Sequence, residues 1–254
     1  FLKNRKCLNT TIIAVLSFLF GAVSFSENIK KHSLDPSKSL TQYAHKYWTT
    51  GNQFLQNSIN VIAQASDGML LVGTSNGLFR FDGINFSNID LGLINTKTNI
   101  NISSIVLSKD NSVWVGTNNG LARLVNFKPV PLYDPEGFIK KDIISLCEAA
   151  NGTIWIGTNN FGIVKYSNNK FSAFNPHGQL KTGVIYCLEE DKHGNIWAGT
   201  NGAGLIKIHG TSADQYMIEN GLSNNVVKSL LADGDDLWIG TNGGGLNLFR
   251  NGKF

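Results

Sequence analysis

From about residue 50 onward, apolar residues come in runs of four to six, separated by clusters of Asn, Asp and Gly. The pattern repeats. Gly-Thr recurs at Gly73-Thr74, Gly116-Thr117, Gly157-Thr158, Gly199-Thr200 and Gly240-Thr241, with spacings of 43, 41, 42 and 41 residues. Two residues before each Gly stands Trp114, Trp155, Trp197 or Trp238, with Leu71 in the first copy. Five copies at nearly equal spacing are the signature of a repeat architecture.

Each copy divides into four short strands. The first carries apolar residues three apart: Ile59/Ile62, Ile102/Ile105, Ile143/Leu146, Ile185/Leu188 and Val227/Leu230. A turn such as Asp67-Gly68 or Asn151-Gly152 leads to the Trp-Ile-Gly-Thr strand, whose β-branched and aromatic residues suit a packed, pleated surface. Its interior Gly marks a place where another backbone or a large ring comes close. A second Asn/Gly turn follows, with hairpin chemistry. The third strand alternates, as in Ile163-Val164-Lys165-Tyr166, and the fourth is of the kind Lys170-Phe171-Ser172-Ala173-Phe174. No window of 11 or more residues in the repeats has helical periodicity, and four strands per period of about 42 residues predict a β-propeller blade. The fold class is all-β, with about five four-stranded blades near residues 55–90, 98–134, 139–175, 181–219 and 223–254. Residues 41–48 read as an orphan outer strand, and 27–40 as a linker. Lys253-Phe254 begins a fourth strand for the last blade, so an open arc cut from a larger ring fits better than a closed five-bladed one. A lone blade exposes both faces, whereas stacking buries them. Each Trp is expected between neighbouring blades, in a gap opened by the glycine, as a structural group and not a platform for carbohydrate.

Residues 1–26 differ from the rest. Lys3, Arg5 and Lys6 precede an apolar run over 12–20, and small residues follow at Ala22, Ser24 and Ser26. That order describes a signal peptide cleaved after Ser24 or Ser26, with a run too short to span a bilayer. The repeats are therefore expected outside the cytoplasm.

Composition agrees. The chain of 254 residues holds 27 Gly and 30 Asn, the two residues that supply positive φ in tight turns, and only 16% charged residues. At 42% hydrophobic it can bury a core, which argues against disorder. The net charge of +4 reduces to +1 without the three leading cations, when 19 basic residues face 18 acidic ones. No basic patch points to nucleic acid.

The repeat, roughly Asp-x-x-Gly-x-Ile-Trp-Ile-Gly-Thr-x-x-Gly-Gly-Leu, resembles the two-component-regulator propeller repeat found in periplasmic sensor regions of bacterial signalling receptors. Asn195-Ile196-Trp197 through Leu205, and Leu237-Trp238-Ile239-Gly240-Thr241-Asn242-Gly243-Gly244-Gly245-Leu246, are the best matches. Gly221-Leu222-Ser223-Asn224-Asn225-Val226 looks like the family's inter-blade linker, though Gln53-Phe54-Leu55 stands where Gly-Leu-Pro is usual. The resemblance covers about residues 40–254. It implies a seven-bladed ring, of which this chain holds an incomplete arc. Beyond the ring it implies an immunoglobulin-like domain, a membrane helix and a cytoplasmic histidine-kinase or diguanylate-cyclase output module of the same receptor. Leu34-Asp35-Pro36 and Trp48-Thr49-Thr50 lean toward the cyclase type.

Catalytic chemistry is sparse. Cys147 and Cys187 lie on first strands of adjacent repeats, offset by two positions; such strands are generally too far apart for a disulfide, so free buried thiols are expected. No Cys-x-x-Cys exists and the five His do not cluster, so neither a metal nor a cofactor is expected. Glu189, Glu190 and Asp191 read as solvated strand-end charges, because a glycosidase needs two carboxylates facing across a substrate. Asp233-Gly234-Asp235-Asp236 lacks the bidentate Glu of a calcium loop and reads as a turn. Asn242-Gly243-Gly244-Gly245 is followed by no helix or Lys and is no phosphate cradle. Asn151-Gly152-Thr153 fits a glycosylation sequon but is also a turn.

Turns between second and third strands must emerge on one end of the ring together with the inter-blade linkers. Asn159, Asn160, Asn201 and Asn242 are the candidate ligand-binding residues there, offering amide donors and acceptors for a neutral or polar small molecule, a sugar or a peptide. The same residues also serve simply to form turns. Three functions compete: the periplasmic ligand-sensing segment of a membrane receptor, itself not an enzyme; a secreted lyase-like propeller enzyme acting on polysaccharide; and a non-catalytic scaffold for protein partners.

Overall fold

The computed structural model describes residues 37–42, 48, 58–93, 99–175 and 183–254. The expected signal peptide lies outside the described residues, as do 43–47 of the expected orphan strand.

Nineteen strands among the described residues form five antiparallel sheets, each a meander in chain order. The first contains β1 (Ile59–Gln64), β2 (Leu70–Thr74), β3 (Gly77–Phe81) and β4 (Phe86–Ile89); the second β5 (Ile102–Leu107), β6 (Ser112–Thr117), β7 (Gly120–Val125) and β8 (Lys128–Pro129). The third holds β9 (Ile143–Glu148), β10 (Ile154–Thr158), β11 (Ile163–Ser167) and β12 (Lys170–Phe174); the fourth β13 (Ile185–Glu190), β14 (Ile196–Thr200), β15 (Leu205–His209) and β16 (Ser212–Tyr216). The fifth has β17 (Val227–Asp233), β18 (Asp236–Thr241) and β19 (Gly245–Phe249), with a bridge between Arg250 and Lys253 that begins its fourth strand as the sequence predicts. Outer strand β8 is two residues long, because Pro129 and Pro131 cannot donate to a ladder.

Inner strands β1, β5, β9, β13 and β17 pack side by side in that order, so the sheets stand as blades around an axis in an unclosed arc. Each inner strand contains a bulge near its start, as between Ile102 and Ser104 or Ile185 and Cys187. The extra residue converts period-two alternation into a spacing of three on one face. That face meets the preceding blade: Ile143 and Leu146 cluster with Trp114, Ile185 and Leu188 with Trp155, and Val227 and Leu230 with Trp197.

The glycine of Gly-Thr accommodates this packing, and here the sequence reading needs correction. No indole fills the gap; a β-branched side chain of the next blade enters it, beside Val61, Ser145 or Cys187 of the blade's own inner strand at Gly73, Gly157 and Gly199. A Cβ added to Gly73, Gly116, Gly157 or Gly199 would lie 2.6, 2.7, 2.7 or 2.7 Å from a methyl of Ile102, Ile143, Ile185 or Val227. All four of those side chains have 0% exposure. At the ends of the arc the pairing lapses. Ile59 and Ile62 of the first blade are 49% and 57% exposed, no neighbouring blade reaches Gly240, and Leu246 is 68% exposed.

The indoles do lie between blades as expected. Trp114 is 5.0 Å from Tyr166 and Trp197 is 5.3 Å from Phe249, each on the following blade, while Trp155 packs beside Ile206 and Ile208 of the fourth. Trp238, with no blade beyond it, is half-buried. Trp48 meets Phe81 at 4.9 Å, much as Tyr216 meets Phe249 at 5.1 Å.

Candidate functional site

Antiparallel meanders send the turns between second and third strands to the end of the arc where inner strands begin. The threonine of Gly-Thr builds these turns, a role sequence reasoning missed. In all five blades its Oγ1 donates to the carbonyl of a glycine three or four residues on: Gly77, Gly120, Gly162, Gly204 or Gly245, at 2.8–2.9 Å. In the first four it also accepts a backbone N–H, from Asn76, Asn119, Phe161 or Ala203. The following residue ties the turn to the chain just before its own inner strand: Asn118 N–H reaches Asn101 O, Asn159 reaches Asp142 O, Asn201 reaches Val184 O and Asn242 reaches Val226 O. The signal was legible as an invariant Gly-Thr with no apolar reason for the Thr.

The structure puts the four candidate asparagines on this end, in the third, fourth and fifth blades, and joins them by no hydrogen bond to one another. The Asn159 side chain is already engaged, donating to Asp142 Oδ2 at 2.9 Å. Asn160 is exposed and holds φ 68, so turn geometry explains it; seven of the eight non-glycine residues with positive φ among those described are Asn. Asn201 and Asn242 are exposed, with side chains free among the described residues.

A concave site lies elsewhere on the same end. A cleft of about 410 Å³ is lined by Asn76, Leu78, Asn88, Asp90, Asn99 and Ile100, among others, between the first blade and the linker that leaves it. Its origin is visible in the glycines after each turn. A linker carbonyl roofs the turn in the second blade, and the last residue of the outer strand does so in the fourth: a Cβ on Gly120 or Gly204 would lie 2.2 or 2.1 Å from the carbonyl oxygen of Ile139 or Tyr216. Over Gly77 the nearest atom is Asn88 Nδ2 at 3.6 Å, so the space stays open. The carboxamides of Asn76, Asn88 and Asn99 are unpaired among the described residues.

Around the axis, polar side chains stitch one inner strand to the next. Asn60 Nδ2 donates to Ile102 O at 3.0 Å, Ser145 Oγ to Ile185 O at 3.0 Å, and Lys228 Nζ stands 3.3 Å from the centre of the Tyr186 ring. The acidic group read as solvated charges belongs to this stitching instead. Glu190 accepts Ala150 N–H of the third blade at 2.7 Å, and Glu189 accepts Ala232 N–H of the fifth at 3.2 Å. Burial raises the Glu189 pKa, opposed by the Ala232 N–H and reinforced by Glu190. Asp191 caps its turn, taking the indole N–H of Trp197 at 2.9 Å. Leftover charges in such turns pair locally, as Asp67 with Arg80 and Asp110 with Arg123. Although burial alone would raise the Asp110 pKa, hydrogen bonds from Ser112 and Ser108 and the Arg123 charge hold it at about 2.

Cys147 and Cys187 are half-buried and are not joined to each other. Burial, with Glu189 nearby, pushes Cys187 up to about 12, which makes it a poor nucleophile. Among the described residues no three His, Cys, Asp or Glu side chains gather as metal ligands. Asp233 pairs across a hairpin with Asp236, and Asn151 Oδ1 accepts Thr153 N–H, so both segments are turns.

Blades of four strands, indoles between them and polar turns at one end define a β-propeller built from sequence repeats. The model of the family described as two component regulator propeller matches residues 137–160, 179–202 and 221–243. The extracellular domain of the hybrid two component system BT4673 from B. thetaiotaomicron is 25% identical, with TM-score 0.59 over 75% of this chain and 27% of that one. The extracellular domain of BT3049 from the same organism is 22% identical, with TM-score 0.51 over 76% of this chain and 33% of that one. Virginiamycin B lyase from Staphylococcus aureus, at 13% identity and TM-score 0.60 over 75% of this chain and 65% of that one, shares the fold. The chain thus spans about a third or less of the length of the two component relatives. No curated protein matches. Among the described residues no helix is long and apolar enough to cross a membrane.

Proposed function

We propose that this chain is the extracytoplasmic, ligand-binding propeller of a transmembrane receptor, itself non-catalytic, whose output module is a histidine kinase or a diguanylate cyclase. The observation that carries the reading is the match of three repeats to the two component regulator propeller, joined to the likeness with an extracellular domain of a hybrid two component system. The exposed amides of Asn201 and Asn242 at the turn end support a ligand-binding role. The ligand is a small polar molecule, a sugar or a peptide, and Asn201 and Asn242 present their amides to it, with Asn159 and Asn160 shaping the third blade's turn.

Reading the coding sequence past Phe254 tests the receptor role. A membrane helix followed by a kinase or cyclase module is expected, and a stop codon soon after ring closure overturns it. In the full receptor, replacing Asn201 and Asn242 together by Ala should abolish the response to ligand while melting stays the same; an undiminished response removes these turns from the site.

A further inference from the structure

We propose that the cleft beside Gly77, a second site distinct from Asn201 and Asn242, binds the free amino terminus of a short peptide; the assignment rests on the ligand-binding reading above. Among the described residues lining the cleft, Asp90 alone carries a charge. Its Oδ1 is fixed by Gly92 N–H at 2.9 Å, and Oδ2 has no partner among the described residues. A carboxylate held in this way is preorganised for a cation, and an ammonium group with three donors satisfies the open oxygen. Around it stand the unpaired carboxamides of Asn76, Asn88 and Asn99, each offering a donor and an acceptor, which is the complement of a peptide backbone. The apolar floor is formed by Leu78, Ile89 and Ile100. A volume of about 410 Å³ lies within the range of small-ligand pockets.

The other described blades lack this arrangement for physical reasons. In the fourth, Gln215 replaces Asn88 in the register and spends its amide on Ala203 O at 2.7 Å, while Tyr216 O covers Gly204. In the third, Asn159 is engaged by Asp142. Among the described residues the first blade alone combines an unroofed turn, three free amides and one open carboxylate oxygen.

The test is an NMR titration of the full chain with the tripeptide amide Gly-Leu-Gly-NH2 and with its N-acetylated form. The free-amine peptide should shift the Asn76, Asn88 and Asn99 side-chain signals saturably. Acetylation should weaken binding by about tenfold or more, the scale of a lost charge-assisted hydrogen bond, and Asp90→Asn should do the same without changing the melting temperature. Equal binding of the two forms, indifference to Asp90→Asn, or no shift at millimolar peptide would each overturn the assignment. A receptor that still responds to another ligand through Asn201 and Asn242 after such a failure keeps the receptor reading and loses this one.

Discussion

At the scale of single residues, the Gly-Thr pair does two unrelated jobs in adjacent positions. The glycine omits a side chain so that Ile or Val of the next blade can enter, and the threonine closes the turn with its hydroxyl. Neighbouring polar residues are drawn into the same contacts, and Glu189 is the one whose charge is costly there. Its pKa is raised above the ordinary 4.5 because its carboxyl is buried between blades. The folded protein therefore holds that proton to higher pH than the unfolded chain, so stability falls as pH rises from about 4.5 through the raised folded value, and the cost remains in full above it. Glu189→Gln keeps an acceptor for Ala232 N–H and removes the charge. Urea unfolding should find the variant stabilised relative to the parent at pH 8, with the difference shrinking toward pH 4; a constant difference across that range would show that the carboxyl is not desolvated.

At the scale of strands, the sequence was informative where the period of apolar residues maps directly onto packing. The spacing of three on the first strand, the alternation on the third and the Asn/Gly turns were all readable, and every blade follows them. What fills the glycine gap was not readable, because a missing Cβ signals a close approach but not the identity of the partner. That partner sits about 30 residues further on, and only the bulge, which lies in hydrogen-bond register and not in composition, turns Ile143 or Ile185 toward it. The bonding of Glu189 and Glu190 to neighbouring blades was hidden for the same reason: alternation assigns each a side of the sheet but cannot show what stands opposite. Likewise the candidate asparagines were legible as turn residues, whereas the cleft at Asn76 depends on a linker failing to cover Gly77. Strand position also predicts how much each indole matters. Trp155→Ala should lower stability by about 3–5 kcal/mol, the cost of emptying a buried aromatic site, and the half-buried Trp238→Ala by clearly less. Equal losses in thermal or urea unfolding would mean that the neighbouring blade contributes nothing.

At the scale of the whole molecule, blades are held as in a solenoid, each by its neighbour, through one apolar insertion, an indole (Leu71 in the first blade) and a few polar stitches. The ends of the arc show what an unpartnered blade looks like: Ile59 and Leu246 face water, where their counterparts Ile102 and Leu205 are fully buried. A propeller built this way can vary its turns and linkers without disturbing the blades, which leaves one end of the arc free to differ. The insertion of each β-branched side chain against the preceding glycine is the claim on which this architecture rests. A double-mutant cycle at Gly116 and Ile143, read by urea unfolding, tests it most directly. Gly116→Ala alone should cost about 1–3 kcal/mol from overpacking and Ile143→Ala alone about 2–5 kcal/mol, while the double variant should lose less than the sum by at least about 1 kcal/mol, because the new methyl then occupies vacated space. Losses that add to within about 0.5 kcal/mol would contradict the account, since the two positions would then not share a contact.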